Sequence, residues 1–269
     1  MRRLSLSPLT VLPCSPLEQV DAALDAGFDA VGLRLVPVLA TDVDVTSDVK
    51  LQCALERRLA ATKLPVLDIE VVRVDPDLDV AGVTPLLEFA GRLRARWLAA
   101  TSVARAHYRE EQEPAVVRRL AELCEAAARY GMGVMLEFMP SRGIGTLEHA
   151  VRVVSAVEQP NLGITVDALH FYRSGATPGA LADVDPNLLA CVQLCDGPTT
   201  APKDLAEEAR YDRLYPGEGE FALTDLMSAV PHDLPVSVEA PSRSRAHLSL
   251  SDRARESARA ARRVLAAVD

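Results

Sequence analysis

Short apolar runs alternate with longer segments of helical period along the whole chain. Eight runs are rich in β-branched residues and are predicted as strands: Leu4–Ser7, Ala30–Leu33, Val66–Val71, Trp97–Ser102, Gly133–Glu137, Gly163–Asp167, Cys191–Leu194 and Val236–Glu239. The amphipathic segments predicted as helices are Leu17–Ala26, Val49–Ala61, Val80–Ala95, Pro114–Tyr130, Thr146–Val157, Ala222–Val230 and Ser251–Val268. This alternation is typical of parallel strands joined by crossover helices.

Eight strands are the number that closes an α/β barrel, and 269 residues suffice for one barrel. A doubly wound sheet gives a similar alternation, but no G-x-G-x-x-G follows the first predicted strand. We therefore predict one (β/α)8 TIM barrel domain over residues 1–269. Helix start signals lie at Ser15, Thr146 and Ser251, and Gly27 and Gly131 are predicted to end helices.

Composition narrows the classes of partner. The net charge of −9 and the pI of about 5.2 argue against nucleic acid, which needs a basic surface. No apolar run approaches the ~20 residues that cross a bilayer, so we expect no membrane span. The five cysteines lack CxxC spacing, which argues against a disulfide framework or a structural zinc site. A cytoplasmic protein with reduced thiols is expected, and a homo-oligomer stays open.

The last four predicted strands carry oxygen-bearing side chains at their carboxyl ends: Glu137, Asp167, Gln193 and Glu239. In a (β/α)8 barrel these strand ends open into one mouth, where active sites lie. Bringing three carboxylates and an amide together is costly unless a cation lies between them. All-oxygen ligation favours hard cations. We expect Mn²⁺ or Mg²⁺, with Co²⁺ a further candidate and Zn²⁺ a weaker one.

Five further side chains are expected to contact a substrate at this mouth: His170, Arg213, Asp196, Glu70 and His107. His170 lies three residues after Asp167, so a turn leaving the strand can face it into the mouth. The segment 196–221 is the longest without a predicted strand and is expected to be an extended loop at the active face. Arg213 lies in it and, like Arg210, can bind a carboxylate, phosphate or hydroxyl group.

Five motifs carry a resemblance to a known family: LEF at 136–138, D-x-x-H at 167–170, QLCD at 193–196, PGEG at 216–219 and VEAP at 238–241. Over essentially its whole length the chain resembles the xylose-isomerase-like barrel superfamily, in the sugar phosphate isomerase/epimerase group. The resemblance implies that Glu137, Asp167, Gln193 and Glu239 bind one metal ion, usually manganese, magnesium or cobalt. Gln193 stands where many epimerases have histidine. A glutamine at this position resembles the branches similar to hydroxypyruvate isomerase.

The resemblance also implies proton transfer next to a carbonyl group. A metal ion that holds a substrate oxygen lowers the pKa of the adjacent C–H and stabilises an enediolate. Glu137 and Glu239 would then act as acid and base. The expected function is that of a metal-dependent isomerase or epimerase of a small sugar, ketose or hydroxy-keto acid.

Other functions use the same fold. The main alternative is a metal-dependent dehydratase of a cyclic polyol or keto acid, similar to inosose or dehydroshikimate dehydratases, because the same base can expel a β-hydroxyl group. Phosphodiester cleavage of the endonuclease-IV kind uses many histidines, whereas this acidic chain has five. A non-catalytic binding protein is disfavoured because all four ligand positions are filled. The sequence separates neither isomerase from dehydratase nor the two glutamates as the first base.

Overall fold

The computed structural model describes residues 2–38 and 42–268. Parallel strands close into a barrel in chain order, and the last strand pairs with the first. They are β1 (Leu4–Leu6), β2 (Ala30–Arg34), β3 (Val66–Val74), β4 (Trp97–Ser102), β5 (Gly133–Glu137), β6 (Leu162–Asp167), β7 (Leu189–Leu194) and β8 (Val236–Val238). The predicted (β/α)8 barrel and the place of each strand in it are confirmed.

The helices that surround the barrel lie close to the predicted segments. The α-helices are α1 (Pro8–Val11), α2 (Pro16–Asp25), α3 (Val49–Thr62), α4 (Thr84–Arg92), α5 (Glu113–Ala128), α6 (Leu147–Val157), α7 (Ala168–Arg173), α8 (Leu205–Tyr211), α9 (Leu223–Ser228) and α10 (Leu250–Leu265). The prediction missed α1, α7 and α8, which are all shorter than two full turns. Among the described residues, no helix combines the length and the apolar character that crossing a bilayer requires.

Capping explains why most helices begin where they do. The Ser15 hydroxyl accepts from the backbone N–H of Glu18, whose side chain accepts from Ser15 in return, so the predicted start of α2 is a full capping box. Thr146 likewise caps α6, because its hydroxyl accepts a hydrogen bond from the backbone N–H of His149. The last helix differs from the prediction, because its cap is Ser249 and its first residue Leu250. Gly27 lies at φ 73°, the left-handed conformation that ends a helix.

The α5–α6 pair also carries a polar contact. Glu113, the first residue of α5, accepts hydrogen bonds from Tyr108, His149 and Arg152. Burial raises the pKa of Glu113, but the hydrogen bonds from Arg152, His149 and Tyr108 outweigh it and lower the pKa to about 2. This carboxylate is therefore ionised over most of the pH range and joins the two helices.

Alternation along the strands separates an apolar outer face from a polar interior. In β5, Val134 and Leu136 are fully buried in the main core under the helices, whereas Met135 belongs to a separate small apolar cluster. Because side chains of a strand point alternately to opposite faces, Met135 and Glu137 share the interior face. The same period places Ser5, Asp68, Thr165 and Ser237 inside the barrel, all nearly without solvent exposure. The interior is thus unusually polar below the mouth.

Candidate active site

Polar side chains from neighbouring strands meet at the carboxyl end of the barrel. Registers pair Arg34 with Glu70, Thr101 with Glu137, and Asp167 with Gln193, and Glu239 directly follows β8. They surround a cavity whose lining includes six of the predicted site residues: Glu70, Glu137, His170, Gln193, Arg213 and Glu239. Asp167 lies just beneath it with no solvent exposure.

Glu137, Asp167 and His170 form the tightest cluster. Each offers one potential ligand atom, and these atoms lie within 4.8 Å of one another. The cluster follows from local structure, because Asp167 ends β6 and its Oδ1 accepts from the backbone N–H of His170, which caps α7. The short helix therefore turns His170 back over the mouth, where its Nε2 lies 3.6 Å from Glu137 Oε1.

Arg213 is buried among these carboxylates. Its side chain is 2% exposed and its Nη1 lies 2.6 Å from Asp167 Oδ2 and 3.2 Å from Glu239 Oε2. The same nitrogen donates to the backbone carbonyl of Glu239, and Nε donates to that of Ala209. The sequence predicted a substrate contact for Arg213. The structure adds a second role, since the guanidinium holds two of the predicted metal ligands in place.

A second chain of contacts runs from β2 to β8. Arg34 Nη2 donates to Glu70 Oε2 at 2.9 Å. The Ser7 hydroxyl lies 3.1 Å from Glu70 Oε1 and 2.9 Å from Glu239 Oε1. Ser7 thereby connects Glu70 and Glu239 through one hydroxyl group.

The acidic groups hold more negative charge than Arg213 can balance. The pKa of Glu239 is raised to about 8, mainly by burial. The charges of Glu70 and Asp167 also act to raise this pKa, whereas the charge of Arg213 opposes the shift. Burial, Glu239 and Asp167 raise the pKa of Glu137 well above its ordinary value. Burial also acts to raise the pKa of Asp167, but Arg213 and His170 outweigh it and lower this pKa. Burial lowers the pKa of His170 to about 4, so the imidazole is neutral near pH 7.

Two buried oxygens in this cluster lack a hydrogen-bond donor. Glu137 Oε1 and Gln193 Oε1 have no hydrogen-bond partner within residues 2–38 and 42–268. Gln193 Nε2 donates to Glu239 Oε1 at 3.3 Å, which orients its oxygen away from that contact. Orphaned buried oxygens are costly, and a cation is the partner that would satisfy both of them and the surplus carboxylate charge. The residues present therefore fit a divalent metal ion.

A comparison of the whole sequence with known families agrees with this geometry. The profile of the family described as xylose isomerase-like TIM barrel matches residues 20–267. The chain belongs to this family.

Other members of the xylose isomerase-like family match parts of the chain. It is 32% identical to 3-dehydroshikimate dehydratase of Pseudomonas aeruginosa over 120 residues, which are 44% of this chain and 19% of the relative. It is 30% identical to inosose isomerase of Bacillus subtilis strain 168 over 124 residues, 45% of this chain and 44% of the relative. The matches thus span about a fifth of the first relative's length and under half of the second's.

Solved structures share the fold over the whole chain. The IolI protein with a binding zinc atom superposes with a TM-score of 0.87 at 19% identity, covering 99% of both chains. The D-allulose 3-epimerase from Methylomonas sp. gives a TM-score of 0.74 at 12% identity, with 98% of both chains covered. At such identities the likeness establishes the fold of the xylose isomerase-like family.

Two predicted substrate contacts do not lie in the cavity. Asp196 is 1% exposed, and its carboxylate accepts from the backbone N–H groups of Gly197, Gly217 and Phe221. It anchors the long loop after β7 and is not among the residues that line the cavity. His107 is exposed on a short 3-10 turn after β4 and is absent from the cavity lining.

Sequence reasoning missed other residues in the cavity of this family member or next to it. Ser7 ends the first predicted strand, at the mouth. Since Leu4 and Leu6 alternate with serines, this pattern indicates that the hydroxyl group of Ser7 faces the barrel interior. Arg73 lies at an exposed position near the end of β3, which runs three residues beyond its predicted end. Arg142 is in the loop between β5 and α6, and no local pattern indicates where that loop folds.

Proposed function

We propose that this protein is a divalent-metal-dependent isomerase or epimerase of a small polyhydroxylated carbonyl compound. The observation that carries the proposal is the pair of donorless buried oxygens of Glu137 and Gln193, which lie among the carboxylates at the mouth. Such an arrangement is stable with a cation and costly without one. The similarity to inosose isomerase supports the reaction class.

The proposed metal ligands are Glu137, Asp167, Gln193 and Glu239. His170 is an additional candidate, because its ring shares the tight cluster with Glu137 and Asp167. A bound divalent ion would supply Lewis acidity toward a substrate carbonyl or hydroxyl oxygen. Oxygen ligands favour Mn²⁺ or Mg²⁺, with Co²⁺ next, whereas the zinc atom of the IolI structure and the imidazole of His170 support testing Zn²⁺ as well.

The proton-transfer groups in this proposal are Glu137 and Glu239. In the metal-free protein, burial raises the pKa of Glu239 to about 8 and that of Glu137 well above its ordinary value, and raised pKa values of carboxyl groups are common at catalytic sites. Glu239 contacts Ser7 and Glu137 approaches His170, so each acid has a neighbour that can orient it. A proton taken from one carbon by one glutamate and returned to an adjacent carbon, or to the opposite face, gives isomerisation or epimerisation.

A dehydratase is the second candidate, and the 32% identity to 3-dehydroshikimate dehydratase over 120 residues favours it specifically. Removal of a proton next to a carbonyl group is the first step of both reactions. The outcomes then differ, because a β-hydroxyl group that can accept a proton leaves as water in the dehydratase. Isomerisation conserves the mass of the substrate, whereas dehydration lowers it by one water.

The test combines hydrogen exchange with product mass. Protein stripped by a chelator and reloaded with Mn²⁺, Mg²⁺, Co²⁺ or Zn²⁺ is incubated in D₂O with inosose, 3-dehydroshikimate, hydroxypyruvate or a ketose. We expect metal-dependent deuterium incorporation next to the carbonyl group of one substrate, and mass spectrometry distinguishes the two reactions. Full exchange by the stripped protein would refute the metal dependence.

Variants then test the two glutamates. Glu239→Gln and Glu137→Gln should each slow exchange by about 10²–10⁴-fold, the usual contribution of a positioned acid or base. Arg118→Gln is a matched control, because Arg118 is exposed on α5 and lies outside the cavity. Unchanged exchange in the Glu239 variant with metal content retained would remove Glu239 from the acid–base role.

A further inference from the structure

Three arginines stand at the rim of the cavity. Arg73 lies near the end of β3, Arg142 in the loop between β5 and α6, and Arg210 on α8. They come from one strand and two separate connections of the barrel, yet all three line the cavity that also holds Glu137 and His170. The topology therefore gathers three guanidinium groups above the carboxylate cluster.

These arginines differ from the other two in the same cavity. Arg34 pairs with Asp42 and Glu70, and Arg213 pairs with Asp167 and Glu239. In the part of the chain that the structure describes, the side chains of Arg73, Arg142 and Arg210 take part in no hydrogen bond or ion pair.

The three charges also act on one another. The pKa of Arg142 is lowered, mainly by burial and then by the charges of Arg73 and Arg210. The charge of Glu137 opposes this shift. Unpaired like charges around one opening are unfavourable for the free protein. They are an advantage to a protein that binds an anion there, because the guanidinium fork matches the oxygens of carboxylate and phosphate.

The cavity thus has two chemically different ends. The bottom of the cavity holds the buried carboxylates of Glu137, 8% exposed, and Glu239, 4% exposed. At its rim, Arg73 and Arg210 are exposed and Arg142 is half-buried. A neutral ketose or polyol would contact only the carboxylate cluster at the bottom of the cavity. A molecule with an anionic group at the end remote from its reacting carbons would contact both this cluster and the rim arginines.

We propose that the substrate is anionic, and that its carboxylate or phosphate group binds Arg73, Arg142 and Arg210. The orientation of its carbonyl end toward Glu137 and Glu239 rests on the proposed function, whereas the anion site does not. The inference narrows the substrate class to a hydroxy-keto acid, a carboxylated cyclic polyol or a sugar phosphate.

The test measures binding rather than turnover, and uses three cyclic polyols of similar size. Quinate carries a carboxylate, myo-inositol 1-phosphate a phosphate, and myo-inositol no charge. Titration calorimetry on the full chain, with a chelator present and again with Mn²⁺, gives the affinity of each. We expect at least one anion to bind about tenfold or more tightly than myo-inositol at low salt, since a charge-assisted contact is worth about that much. The tighter anion identifies the group that the site prefers.

Charge-neutral variants locate the site. Arg142→Gln and Arg210→Gln should each weaken binding of the preferred anion about tenfold, and added salt should weaken it in the native chain. Arg118→Gln removes the same charge from the exposed face of α5 and should leave the affinity unchanged. Equal affinity for all three probes, no binding of either anion, or unchanged affinity in both rim variants would overturn the proposal. Anion binding without metal-dependent exchange would refute the proposed function alone.

Discussion

Replacement of Arg213 by methionine tests whether the guanidinium holds the site together. Methionine is unbranched and similar in length, so the change removes the charge and the donors while keeping much of the packing. Asp167 would lose its 2.6 Å contact and Glu239 its 3.2 Å contact. The Asp167 side chain is 0% exposed, so water cannot take over without structural change.

The expected cost follows from that burial. Breaking a buried ion pair by removing one partner typically costs about 3–5 kcal/mol, because an uncompensated charge stays buried. Two carboxylates share Arg213, so we expect a loss within this range in metal-free buffer. Asp167→Asn alone should also destabilise the protein. The double variant Arg213→Met with Asp167→Asn should recover at least about 2 kcal/mol relative to the sum of the single changes.

Urea unfolding followed by far-UV circular dichroism at pH 7 with a chelator measures these free energies. Arg118→Met is the control, since substitution at an exposed position without partners should change the stability by no more than about 0.5 kcal/mol. A loss below about 1 kcal/mol for Arg213→Met, or simple additivity in the double variant, would show that the guanidinium does not hold the carboxylates. Either result would refute the stabilising role of the Arg213 ion pairs.

Three further changes test other parts of the fold. Hydrogen bonds lower the pKa of Glu113 to about 2, below the unfolded value near 4.5. At pH values above 4.5 they should stabilise the fold by about 1 kcal/mol, since solvent screens this partly exposed group, and the stabilisation should be lost as the pH falls toward 2. Glu113→Gln should flatten this acid limb of a pH titration of stability, and an unchanged limb would contradict the assignment. Gly219→Ala should destabilise by about 1–3 kcal/mol in urea unfolding, because its Cβ would press on Gly197 and Asp196, whereas Gly179→Ala, whose Cβ would meet only Thr177 at 3.9 Å, should have little effect. Leu98→Ala at a fully buried position of β4 should cost about 2–5 kcal/mol in the same assay, and a cost under 1 kcal/mol would mean that this face is loosely packed.

Much of the fold follows from local patterns along the chain. The apolar runs of β5 and β6 end in Glu137 and Asp167, which is enough to place both acids at strand ends. The caps at Ser15 and Thr146 involve residues within three positions of each other. Such signals are local and can be recognised without knowing the barrel. The helices that escaped prediction are short and depend on distant partners, as α8 does through the ion pair of Glu208 with Arg173.

The sequence by itself determined the barrel and the oxygen-bearing residues at its strand ends. Only the tertiary structure decided what each of them contacts. Asp196 anchors a loop because the N–H groups of Gly217 and Phe221, more than 20 residues later, fold back onto it. Arg213 reaches Asp167 across 46 positions of sequence, and the three rim arginines line one cavity from one strand and two connections. Burial and the distances between charges determine their pairing, and both arise only when the barrel closes.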